Sequence, residues 1–186
     1  MRFDFQSRYT DLYFTTATVK GWKHLLKPDK YKQVIMDSMA FLTTEGSIWI
    51  YAFVIMPNHF HWIWQMKGET RLPQVQQRMM KFVAQQIKFD LSDHHPQVLE
   101  QFKVVHNDRQ YQFFKEKPLS IALYTDEVVW QKMSYIHRNP VQPKWGLSQT
   151  PEAYVFSSAA FYATKDTRWP FLTHFWYGDD WLTADE

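Results

Sequence analysis

The chain has no cysteine in its 186 residues, which excludes disulfides and thiolate metal sites and fits a reducing compartment. It has no apolar run of membrane-spanning length, and its first residues, Met1-Arg2-Phe3-Asp4-Phe5, carry an acid early, unlike a secretory leader. Glycine numbers only five. No Walker-type loop, Gly-rich dinucleotide turn or His-Glu-x-x-His helix is present, so nothing points to ATP use or zinc-protease chemistry. A strong charge of one sign is missing too, because the formal net charge is only +2. Yet Asp179, Asp180, Asp185 and Glu186 close the chain with no Lys or Arg after Arg168; without them, 21 Lys and Arg stand against 15 acids, a net +6 over residues 1–178. That balance permits a phosphate-binding surface. The expectation is a soluble cytoplasmic protein with no membrane partner.

What the chain does have is aromatics: 15 Phe, 10 Tyr and 9 Trp, 18% of the residues. They suit a heavily stacked core, the reading favoured here, or faces on which nucleobases stack. No repeat or linker divides the sequence, so residues 1–186 read as one domain, with a tail from about 142 packing on it. Leu12 to Val19 reads as a strand, and a helix follows from Pro28 to Gly46. Ser47 to Ile55 and His59 to Met66 form a hairpin about Met56-Pro57-Asn58, where Asn is expected to tolerate an unusual backbone. Leu72 to Leu91 has helical spacing, residues 93–96 read as a loop, and 111–114 as a short strand. A last helix starts at Asp126 and stops near Asn139, because Pro140 disfavours helix at its predecessor. This order predicts an α+β fold: a ferredoxin-like (RRM-like) antiparallel sheet with helices on one face and a C-terminal extension.

Alternation along a strand sends His59 and His61 to one face, and Phe60, Trp62 and Trp64 to the other. Two imidazoles on one strand can converge on a cation, and neutral imidazole suits several divalent metals. Tyr135 and Asn139 are four apart on the last helix and share a face, where an Asn oxygen could serve as a third ligand. Lys132, one turn before Tyr135, could contact a phosphate. Val129, Met133 and Ile136 lie on a different side and would anchor the helix to the sheet. Arg78, Lys81 and Lys88 on the preceding long helix either track phosphates or form a solvated face. His137 and the tail aromatics Trp169, Phe171, Phe175, Trp176 and Trp181 read as structural.

At these residues the chain resembles a known family. Val54-Ile55-Met56-Pro57-Asn58-His59-Phe60-His61 resembles the strand–turn–strand signature of single-tyrosine HUH transposases, the histidine–hydrophobe–histidine endonucleases. Tyr135-Ile136-His137-Arg138-Asn139-Pro140-Val141 resembles their tyrosine helix, and Tyr154-Val155-Phe156-Ser157-Ser158-Ala159 a tail segment of the REP-associated tyrosine transposase branch. The resemblance implies a ferredoxin-like core and Mg²⁺ or Mn²⁺ on His59, His61 and Asn139. It also implies attack by Tyr135 on single-stranded, often hairpin-forming DNA, leaving a 5′-phosphotyrosine and a free 3′-hydroxyl. A monomer is favoured, a dimer possible.

The function expected is therefore a metal-dependent single-stranded DNA endonuclease and strand transferase. Two alternatives differ in kind. A catalytically idle module would bind structured single strands without forming an adduct, and a metal phosphoesterase using water would survive Tyr135→Phe.

Overall fold

A computed structural model describes residues 7–106, 109–115 and 117–178. Trp181 and the four closing acids lie outside the described residues, as does the segment Met1–Phe5. Four antiparallel strands form one sheet: β1 (Leu12–Thr18), β2 (Ile48–Met56), β3 (His59–Met66) and β4 (Leu119–Ala122), in the order β2-β3-β1-β4. Between β1 and β2 runs α1 (Asp29–Thr44), followed by Gly46 in the left-handed region at φ 80°, the conformation that commonly ends a helix. After β3 come α2 (Leu72–His94), the short α3 (Pro96–Glu100), β4, α4 (Asp126–Arg138) and α5 (Ala159–Thr164). The βαββαβ order with β1 and β3 central is the ferredoxin-like topology expected from the sequence.

The sheet carries two cores. On one face Phe60, Trp62 and Trp64 pack with Ile35, Met39 and Leu42 of α1 and with Val75, Met79, Val83, Ile87 and Leu91 of α2. On the other face Leu12, Phe14, Val54 and Ile63 pack with Val129, Met133 and Ile136 of α4. The expectation of helices on one face thus holds for α1 and α2, whereas α4 covers the opposite face. That face is where His59 and His61 point.

Three local readings need correction. Residues 111–114 are not a strand; they make only isolated bridges, Lys103 with Tyr111 and Val19 with Phe114. The fourth strand is instead Leu119–Ala122, which pairs with β1 from Tyr13 to Thr16. No loop separates 93–96: α2 runs on to His94 and α3 starts at Pro96, because proline is well tolerated at a first helical position. Asn58 is not in the turn for its backbone, since neither it nor Pro57 has a positive φ. Its value lies in its side chain.

The tail runs along the outer edge of β2. Ser157 bridges Val54, Leu172 bridges Ile50, and Phe156 and Ser158 exchange backbone hydrogen bonds with Ile55 and Phe53. Trp169 and Phe171 pack against Phe53, Phe175 against Tyr51, and Trp176 against Trp130. An open strand edge is thereby covered.

Candidate metal and nucleophile site

β3 pairs with β1 so that Thr16 lies opposite His61 and Thr18 opposite His59. Both imidazoles are buried, with ring centroids 4.8 Å apart. Each ring has its Nδ1 engaged: His61 Nδ1 lies 2.8 Å from Thr16 Oγ1, and His59 Nδ1 lies 2.7 Å from Asn58 Oδ1. Since Asn58 Oδ1 can only accept, His59 carries its proton on Nδ1, which leaves Nε2 as the atom with a lone pair. Thr16 is compatible with the same tautomer on His61. An oxygen on the far nitrogen is the usual support of a metal-ligating imidazole.

Burial lowers both basicities. His59 falls to about 4, with Lys144 adding to the effect, and His61 to about 3, with His59, Lys132 and Lys144 adding. Both rings are thus neutral at pH 7, the state a metal ligand needs.

Helix α4 brings the second half of the site. Thr125 caps its start by accepting from Val128 N–H, and Asp126 and Glu127 in its first turn oppose the helix dipole favourably. Its apolar stripe lies on the sheet, which aims the neighbouring face along β3. The Tyr135 ring is 5.1 Å from that of His61 and 6.2 Å from that of Phe14, which stacks on His61 at 5.3 Å. Tyr135 is nevertheless 44% exposed, so the side chain is not closed off by the core. Lys132 holds its Nζ 5.2 Å over the Phe14 ring. Asn139 sits one turn beyond Tyr135 and is buried.

Among the described residues, four buried side-chain polar atoms have no hydrogen-bond partner: His61 Nε2, Asn139 Oδ1, Trp145 Nε1 and Asp126 Oδ1. Such atoms are rare and costly. The first two are the very atoms a cation would take, and the Trp145 ring lies tilted against His59 with centroids 5.7 Å apart. No group of three or more His, Asp or Glu that could hold a metal exists among the described residues. A cation here would therefore rest on two imidazoles and a carboxamide, completed by phosphate or water oxygens, a mixed nitrogen and oxygen set open to several divalent metals.

Asn139 follows Tyr135 by one turn of α4, and His59, His61, Tyr135 and Lys132 are thus brought together. Arg78, Lys81 and Lys88 are not: they lie on α2, across the sheet, where Arg78 pairs with Glu45 at 2.6 Å and Lys88 lies over Tyr111. His137 lies off the site, its Nε2 2.9 Å from Ser158 Oγ. Sequence reasoning missed Thr16 and Asn58 as ring supports. Asn58 adjoins His59 in the motif and was open to that reading, whereas Thr16 depends on strand register.

Neither family models nor curated proteins yield a match to this chain. Solved structures do. A REP-associated tyrosine transposase bound to a REP hairpin superposes with a TM-score of 0.58 at 17% identity, over 96% of this chain and 90% of that one. The chain has the fold of that transposase. A candidate transposase from Deinococcus radiodurans R1 matches with a TM-score of 0.44 at 14% identity, over 67% of this chain and 87% of its own.

Proposed function

We propose that this chain is a metal-dependent single-stranded DNA endonuclease and strand transferase that cuts through a 5′-phosphotyrosine. The observation that carries the reading is the half-exposed Tyr135 ring beside His61, at a site where His61 Nε2 and Asn139 Oδ1 are buried without partners. The shared fold with a transposase solved on a hairpin adds support for hairpin-forming DNA as substrate.

His59, His61 and Asn139 would hold one Mg²⁺ or Mn²⁺, which when bound would supply charge neutralisation and alignment for the scissile phosphate. Asn58 and Thr16 engage the Nδ1 atoms and leave Nε2 of each imidazole free for the cation. Lys132 adds positive charge on the side of Tyr135. The tyrosine oxygen forms a bond to phosphorus as the bond from phosphorus to the 3′-oxygen breaks. The phenolic proton passes to solvent, and the departing oxygen takes one up to become a 3′-hydroxyl. The covalent link conserves the phosphodiester for rejoining to another 3′-hydroxyl. A monomer suffices, since α4 buries its apolar stripe on its own sheet.

The test is incubation with Mn²⁺ and single-stranded oligonucleotides tiling the DNA beside the gene, followed by denaturing electrophoresis. A protein–DNA adduct that disappears in Tyr135→Phe and with chelator is expected. An adduct unchanged in Tyr135→Phe, or DNA cleavage without adduct, would sink the mechanism. Hairpin binding with neither cleavage nor adduct would leave a binding module.

A further inference from the structure

Beside His59 lies a cluster that the chemistry above does not use. Trp22 approaches the His59 ring edge-on at 6.3 Å, and Trp145 approaches it at 5.7 Å. Trp22 is 56% exposed although it is one of the most apolar side chains of the loop. Its backbone is left-handed, at φ 57°, directly after Gly21 at φ 66°. A bulky residue rarely adopts this conformation, and it persists only where surrounding contacts impose it. They do so here: Trp22 N–H donates to Val19 O, and Asn58 Nδ2 donates to Trp22 O at 3.1 Å. The same Asn58 carboxamide orients His59. The backbone that carries the exposed indole is thus fixed relative to the metal-ligand candidate.

Each indole also carries a cation. Lys115 Nζ sits 4.6 Å from the Trp22 ring centroid, and Lys144 Nζ 5.9 Å from that of Trp145. Lys115 arrives there because its N–H bonds Thr18 O and Phe114 bridges Val19, so the segment 113–115 is tied to the end of β1. Trp145 further contacts His24 at 5.9 Å, and His24 lines a groove of about 680 Å³ that Lys27, Lys30, Asp29 and His95 also border. The indole nitrogen of Trp145 is buried and without an acceptor.

Aromatic faces paired with cations are what unpaired nucleic acid requires: the ring stacks a base, and the ammonium meets the adjoining phosphate. A duplex cannot offer an open base face to such a platform. We propose that Trp22 and Trp145, with Lys115 and Lys144, form a subsite that holds an unpaired nucleobase next to the phosphate cut by Tyr135. The subsite selects single-stranded over paired DNA at the position beside the cut, and it does so by stacking rather than by base sequence. This inference rests on the nuclease reading for its substrate, but its test does not depend on cleavage.

The test measures binding of the full chain, with chelator present, to a hairpin oligonucleotide carrying a single-stranded flank from the DNA beside the gene. Each flank nucleotide is replaced in turn by an abasic residue. One abasic position is expected to weaken binding to the wild-type chain at least about fivefold, the lower end for loss of a stacked base. In Trp22→Ala and Trp145→Ala the same abasic change should have little further effect, while Trp22→Phe keeps it. Circular dichroism confirms that each variant is folded. Equal abasic sensitivity in wild type and both alanine variants overturns the subsite, as does unaltered affinity in those variants. A wild-type chain that binds no flanked hairpin overturns it as well. Coupling without any adduct under Mn²⁺ would keep the subsite and remove the nuclease; an adduct formed at full rate by both alanine variants would do the reverse.

Discussion

Asn58 makes two hydrogen bonds with one carboxamide, and they separate by substitution. Asn58→Asp keeps an acceptor for His59 Nδ1–H but loses the donor to Trp22 O; Asn58→Leu loses both. Loss of an oxygen behind a metal-ligating imidazole typically costs about 10–100-fold in metal affinity. Calorimetric titration with Mn²⁺ should therefore show a loss of that order in Asn58→Leu and a smaller one in Asn58→Asp. Equal affinity in all three chains would show that Asn58 does not support the ligand. Thr16 offers the matching case at His61. Thr16→Val leaves a buried ring nitrogen without its oxygen, at a cost of about 1–3 kcal/mol. Urea unfolding of the metal-free chain should show that loss as a lower midpoint with an unchanged slope; an unchanged midpoint would mean the contact contributes nothing.

At the scale of elements, the tail acts as a bracket on the tyrosine helix. Ser158 is fully buried; its Oγ accepts from Phe53 N–H at 3.0 Å and lies 2.9 Å from His137 Nε2 on α4. Tyr154 and Tyr162 add hydroxyl bonds to the backbone of β2 at Ile55 and Tyr51. Ser158→Ala strands a buried backbone N–H and frees the end of α4, which should destabilise the chain by about 1–3 kcal/mol. It should also slow adduct formation more than it weakens DNA binding. Single-turnover rates set beside binding curves would decide this, and parallel losses would reduce Ser158 to a purely structural residue. The elements that the sequence disclosed were those with long periodic patterns and proline or glycine boundaries: β1 to β3, α1, α2 and α4. Their common trait is a buried face whose spacing is written locally. β4 failed that test because Leu119 and Ile121 point outward while Ser120 turns in to Thr15 and Gln76, the reverse of the usual alternation. The five-residue α3 was too short to show a period. At the site, His59, His61, Tyr135 and Asn139 were legible because they lie in two compact motifs. Thr16 and Trp22 depend on strand register and a tertiary hydrogen bond, which no local pattern encodes.

For the molecule as a whole, buried neutral imidazoles set an acid limit. His59 and His137 are lowered to about 4 and His61 to about 3 by burial, from an ordinary value of 6.5. Each binds its proton more weakly folded than unfolded, so protonation favours unfolding. Stability is complete above about pH 6.5 and declines as the pH falls towards 4, by up to about 1.4 kcal/mol per pH unit for each ring. Thermal unfolding of the metal-free chain at pH 8, 7 and 5 should show a melting temperature nearly level between the first two and falling steeply to the third. A level profile would show that these rings are not held neutral by the fold. The path of the tail along β2 has another result, visible only in the order of synthesis. Leu172 meets Ile50, and Ser158 meets Phe53 and His137, so the first strand of the histidine hairpin waits for residues translated long after it. A nascent chain carries Tyr135 out of the ribosome well before the segment that braces its helix. Completion of the candidate site is thereby coupled to translation past residue 158, and a truncated product would hold Tyr135 on a helix with one of its fastenings missing.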